Sequence, residues 1–247
     1  MCGIVGIINL DDKPICLEEL KRFRDSVRHR GPDDEGVFIR HNVGFGHRRL
    51  SIIDLSNKGK QPMIYNDRYV ITYNGECYNF EEVRYELKKK GFKFKSNTDT
   101  EVILAGYQCW GENIQNKLNG MWAFAIYDLK KNEIFLSRDR FGIKPIYYYT
   151  NKNKIAFASE MKSFMFLNEG CKPDFNDDIL INLRTYESIE KTFLNNVFSL
   201  PAGHSIKIAN KKIEIKKWWE INNNLISVNY KNIYDDFYNI FIDSLKK

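Results

Sequence analysis

The chain opens Met1-Cys2-Gly3-Ile4-Val5-Gly6-Ile7, and no other stretch restricts the fold as much. Apolar residues interrupted by glycine suit a buried strand, which would hold the terminus rigidly inside the molecule. A small residue at position 2 permits removal of the initiator methionine and would leave a cysteine with a free α-amine. That residue would carry a nucleophile, with a thiol pKa near ~8.5, and a base, with an amine pKa near ~7.7–8.0. Such an amine can take the thiol proton without a histidine, which places nucleophile and base on one residue. The same cysteine also suits a plain core position at the start of a strand, because free cysteine is commonly buried.

Composition excludes several classes. With 247 residues, 43% of them hydrophobic and 14% aromatic, the chain can bury a substantial core and is not disordered. The longest nearly apolar stretch, Gly120 to Tyr127, is too short to span a bilayer, so no membrane association is expected. Residues 4–8 are apolar, but Asn9 to Lys13 ends the run and no basic segment precedes it, which argues against a secretory signal. The cysteines, at 2, 16, 77, 109 and 171, are odd in number and lack Cys-x-x-Cys spacing. They fit a reducing cytoplasm and predict neither a disulfide framework nor a metal site. The net charge of +6 is spread over separated lysine pairs without interleaved aromatics, so no nucleic-acid partner is expected.

Strands and helices alternate irregularly. Residues 3–9 read as strand and Leu17–His29 as an amphipathic helix. Val37–Arg40, Gly44–Leu50 and Tyr69–Tyr73 read as strands, the last ending at Asn74-Gly75. Asn79–Lys90 is a helix stopped by Gly91, and Thr98-x-x-Glu101 has the spacing of a capping box that opens a helix through Cys109. Four short strands are expected at Met121–Asp128, Glu133–Ser137, Ile146–Tyr149 and Lys154–Ala158. A helical stretch over Asp177–Leu183 and a hairpin of Ser205–Ile208 with Lys211–Lys216 follow. From Tyr230 to Lys247, Ile233, Phe237, Ile240, Phe241 and Leu245 recur at helical spacing. Grouped strands with helices outside them predict a layered α+β fold.

Three further segments supply what a cysteine amidohydrolase needs. Arg49, in Gly46-His47-Arg48-Arg49-Leu50-Ser51-Ile52-Ile53-Asp54, can grip a carboxylate at the end of a strand through two parallel hydrogen bonds. The Asn74 amide and the Gly75 backbone N–H, in Tyr73-Asn74-Gly75-Glu76, can stabilise one oxyanion. Asp99, in Asn97-Thr98-Asp99-Thr100-Glu101, can hold an ammonium. Arg30-Gly31-Pro32-Asp33 forms a rigid turn after a helix. Taken singly, Arg49 also reads as a surface arginine, Asn74-Gly75 as a hairpin turn and Asp99 as a helix-start residue. Together with Cys2 the set describes a glutamine-hydrolysing site.

These segments resemble the glutaminase half of glutamine-dependent asparagine synthetases, which are class II (N-terminal-nucleophile) glutamine amidotransferases. Gln61-Pro62, Gly120 to Ala125, Ser137-Arg138-Asp139-Arg140-Phe141-Gly142-Ile143-Lys144-Pro145 and Ala158 to Lys162 extend the match, which resumes at Leu200 to His204. The resemblance implies a four-layer α-β-β-α sandwich over residues 1–217, with 218–247 as a linker and the first helix of a synthetase domain. It implies Cys2 as nucleophile, Asn74 and Gly75 as the oxyanion hole, and Arg49 and Asp99 as grips on L-glutamine. Leu50, Ser51, Ile52, Ile53 and Glu76 would line the pocket, largely through backbone groups. The Arg138–Pro145 run resembles a family segment near the contact with the synthetase half. No cofactor is implied here; ATP and Mg belong to a synthetase domain or separate synthetase chain, and no Ser-Gly-Gly-x-Asp-Ser loop for them occurs in the sequence. The resemblance also allows a homodimer. Cys77 stands where the family usually carries an aliphatic residue. Other readings remain, namely a glutaminase domain serving a different ammonia acceptor, or an inactive truncated remnant that binds glutamine.

Overall fold

A computed structural model of the protein describes residues 1–52, 54–174, 190–221 and 232–246. Two six-stranded sheets dominate it, and every strand pairing in them is antiparallel. The first runs in the order β10 (Val197–Ser199), β8 (Tyr147–Thr150), β9 (Lys154–Ala158), β1 (Gly3–Asn9), β3 (Val43–Arg49), β2 (Asp34–Arg40). The second runs β12 (Lys212–Lys217), β11 (His204–Ala209), β7 (Glu133–Arg138), β6 (Gly120–Asp128), β5 (Tyr69–Cys77), β4 (Met63–Tyr65).

Side-chain alternation explains the layering. On β1, Ile4 and Ile8 join a core shared with Ala123, Ala125 and Tyr127 of β6, so the two sheets face each other. Val5 and Ile7 point the other way, onto Leu20 and Phe23 of α1 (Leu17–Asp25). Likewise Trp122, Phe124 and Ile126 turn from the inter-sheet core to α2 (Phe80–Lys89) and α3 (Asp99–Trp110), meeting Val83, Leu87 and Val102. Helix, sheet, sheet and helix thus stack in four layers around three apolar cores, as the resemblance implied.

Several local expectations are corrected. Helix α1 stops at Asp25, and Arg28–Arg30 forms a separate 3-10 turn. β5 does not end at Asn74-Gly75 but continues to Cys77, with Asn74 opposite Ala123 and Gly75 opposite Trp122, so this pair is no hairpin turn. The Arg138–Pro145 segment joins β7 of one sheet to β8 of the other and is a crossover between the sheets. Thr98 caps α3 by accepting from the Glu101 N–H at 3.2 Å, but the Glu101 carboxylate reaches the Lys95 and Ser96 N–H groups instead of closing the box. The expected helix over Asp177–Leu183 lies outside the described residues. The last helix, α4 (Ile233–Lys246), carries exposed Phe237, Ile240, Phe241 and Leu245.

Candidate active site

The inter-sheet space opens at the end where β1 begins. Cys2 precedes β1, in which Ile4 lies opposite His47 of β3. On β3, Val43 and Phe45 face the inter-sheet core, so period-two alternation turns His47 and Arg49 to the same side. On β5, Val70 faces that core and Thr72 and Asn74 follow it. The His47 ring nitrogen Nδ1 lies 3.1 Å from the Thr72 hydroxyl, a polar link between the sheets directly beneath the site. Burial first, and then the Arg49 charge, push the His47 value down to about 3, so this imidazole stays neutral.

Above that link lies a pocket of about 210 Å³ lined by Cys2, Arg49, Leu50, Ile52, Asn74, Gly75, Glu76 and Asp99. Every glutamine-site residue expected from the sequence lines it except Ser51 and Ile53. Ser51 instead donates its N–H to the Asp33 carboxylate at 2.8 Å, which shapes the loop, and Ile53 is outside the described residues. The Leu50 N–H donates to Cys2 Sγ at 3.4 Å. Burial pushes the Cys2 thiol above its ordinary value, against the Leu50 amide, the terminal ammonium and Arg49, which pull it down.

Arg49 is buried rather than a surface residue. Its guanidinium donates to the Ser56 carbonyl at 3.1 Å and to the Asp54 carbonyl, so it is held rigid by the loop that follows β3. Gly59 permits this, because a Cβ there would strike the guanidinium. Asp99, the first residue of α3, accepts from the Tyr73 hydroxyl at 2.8 Å and the Cys77 N–H at 3.1 Å, both on Oδ2. Burial pushes its carboxyl above the ordinary range despite those donors.

The oxyanion donors follow from strand geometry. Gln61 accepts the Tyr73 N–H at 2.7 Å and Asp99 accepts the Cys77 N–H, so these two amides point off the free edge of β5. Alternation places the Gly75 N–H between them on that edge. A side chain at Gly75 would collide with the Met121 carbonyl and the Trp122 backbone. Asn74 is buried, and among the described residues its Nδ2 has no hydrogen-bond partner. An unpaired amide N–H in a cleft beside a thiol is the donor an oxyanion would need.

Three contributors were not assigned from sequence. Arg30 donates Nε to the Cys2 carbonyl at 2.9 Å and Nη1 to Glu160 at 3.0 Å, fixing the backbone of the nucleophile. Gln61 pins β5, and Lys144 enters the pocket from the crossover between the sheets. The run Arg30–Asp33 carried a signal only as a motif, because nothing in its local pattern points at Cys2.

A cysteine at the head of a central strand, set in the cleft of a four-layer sandwich, defines an N-terminal-nucleophile amidotransferase fold. The chain belongs to the glutamine amidotransferase domain family, whose profile matches residues 1–219. It is 47% identical over 169 residues to the glutamine-hydrolysing asparagine synthetase 1 of Bacillus subtilis, covering 67% of this chain and 27% of that protein. With the glutamine-hydrolysing asparagine synthetase 2 of the same organism it shares 37% over 250 residues, covering 96% of this chain and 33% of the relative. The chain therefore spans about a third or less of the length of these two relatives. The fold also matches the B. subtilis glutamine phosphoribosylpyrophosphate amidotransferase, with a TM-score of 0.66, 18% identity, and coverage of 90% of this chain and 50% of that one.

Proposed function

We propose that this domain hydrolyses L-glutamine to glutamate and ammonia through a thioester on Cys2, after removal of Met1. The observation that carries the reading is the buried, unpartnered Asn74 Nδ2 in the pocket that Cys2 lines. The freed α-amine takes the thiol proton as Sγ attacks the glutamine amide carbon. Asn74 and Gly75 receive the oxyanion; on collapse the C–N bond breaks and the amine returns the proton to the leaving nitrogen, releasing ammonia. Water then adds to the thioester, gives its proton to the amine, and glutamate leaves as the thiol re-forms. Arg49 would take the α-carboxylate and Asp99 the α-ammonium, with Leu50, Ile52 and Glu76 around the side chain. The ammonia would serve ATP-dependent synthesis of asparagine from aspartate in a synthetase domain or chain, a destination supported by the names of the relatives.

The test is ammonia release from glutamine, with intact mass to establish loss of Met1. Processed protein should turn over, while Cys2→Ser and an N-terminally blocked form should not, since one lacks the thiol and the other the base. Equal rates for blocked and processed protein would remove the α-amine from the mechanism.

A further inference from the structure

Among the described residues, Arg49 and Lys144 are the basic side chains that line the pocket, and Lys144 has neither a carboxylate nor a carbonyl for its charged group. Arg30 is taken by Cys2 and Glu160, and Arg49 by the Asp54 and Ser56 carbonyls. The Lys144 ammonium, on a residue only 6% exposed, has a single hydrogen bond among the described residues, donating to the Met1 thioether sulfur at 3.1 Å. Processing removes that sulfur from a pocket that Lys144 and Cys2 both line.

Its placement is rigid. Asp139, fully buried, accepts from the Trp122, Phe141, Ile143 and Lys144 N–H groups at 2.9–3.1 Å, which ties the crossover segment to β6. The other charged residues lining the pocket are Arg49 from β3, Asp54 on the loop after it, Glu76 from β5 and Asp99 from α3, with Arg30 and then Glu160 behind the Cys2 carbonyl. Burial and Arg30 lower the Lys144 ammonium's value, while Glu76, Asp139 and Cys2 act to raise it.

We propose that Lys144 is a positioning residue whose charge, held beside the mature terminus, keeps the Cys2 α-amine neutral near pH 7 so that it can serve as the base. The inference rests on the glutaminase reading. A fixed cation disfavours a second positive charge nearby and favours a thiolate, so both groups of Cys2 titrate at lower pH in its presence.

The experiment compares processed wild type, Lys144→Met and Lys144→Arg, with loss of Met1 checked by intact mass and folding by thermal melting. Lys144→Met should move the acid limb of glutaminase kcat/KM up by about one pH unit, a loss of a few-fold near pH 7 that grows toward roughly tenfold at lower pH and disappears on the alkaline plateau. The glutamine KM on that plateau should be unchanged, and Lys144→Arg should restore the wild-type profile. Should Lys144→Met not fold, Lys144→Gln replaces it. The pH dependence of Cys2 alkylation by iodoacetamide, which requires no turnover, should shift in the same direction. Unshifted profiles in the neutral variants would overturn the inference. A processed wild type that alkylates normally but releases no ammonia would instead overturn the glutaminase reading.

Discussion

Asn74 holds a buried amide N–H with no acceptor, a condition that costs roughly 1–3 kcal/mol in a folded protein. On the proposed mechanism the cost is recovered only when an oxyanion arrives. Asn74→Ala should therefore leave the melting temperature unchanged or raise it, while lowering glutaminase kcat by about 10²–10³-fold with little change in KM. A large fall in melting temperature would show instead that Asn74 is a structural residue. Asp99 presents the same conflict with a charge. Burial raises its folded value, so its contribution to stability is fully present below the ordinary carboxylate range and is lost as pH rises through the folded value. At neutral pH the ionised group is a net cost, and Oδ2 accepts from both Tyr73 and Cys77, a task an amide oxygen can also perform. Asp99→Asn should melt above wild type near pH 7, lose that advantage below about pH 4, and bind glutamine poorly. Thermal melts at the two pH values, beside a glutamine titration, test both halves.

Among the elements, long regular stretches were legible in sequence and short or tertiary-determined ones were not. β1 and β6 carried continuous apolar runs because each is buried on both faces. β4 and β10, at three residues each, are too short to display a period. Asn74-Gly75 has the composition of a turn, yet pairing with β6 holds it extended, so tertiary context overrode local preference. Of the site, Arg49, Asn74, Gly75 and Asp99 were readable from their chemistry, although Asn74 and Gly75 lie within β5 and not at its end. Arg30, Gln61 and Lys144 were not, since each reaches the pocket through packing between segments distant in the chain. Helix α4 was readable from its spacing, but its apolar side chains are exposed in the structure. Removing residues 222–247 should leave the melting temperature and glutaminase rate nearly unchanged, as differential scanning calorimetry and the ammonia assay would show. A truncated protein that fails to fold would place that helix within this domain's core.

For the whole molecule, His47 and Thr72 join the two sheets through a buried polar contact, and this makes the sandwich sensitive to acid. The folded His47 value is depressed to about 3 against an ordinary 6.5, so the unfolded chain binds the extra proton and stability falls as pH drops through that interval. Between about pH 5 and 6.5, where most carboxylates remain ionised, urea denaturation should show a slope approaching ~1.4 kcal/mol per pH unit. His47→Leu should flatten the slope whatever it does to overall stability. The position of β1 in its sheet has a different consequence. Gly3 is already paired with Arg48, and from Val5 onward the strand is hydrogen-bonded on both sides, to β3 and to β9. An exopeptidase acting on the folded protein can thus draw out Met1, which is exposed, but cannot extract the strand behind it. Prolonged digestion with a broad-specificity aminopeptidase should leave a uniform terminus at Cys2 by intact mass. The sheet would then set where trimming stops, acting as a ruler for the maturation of its own nucleophile.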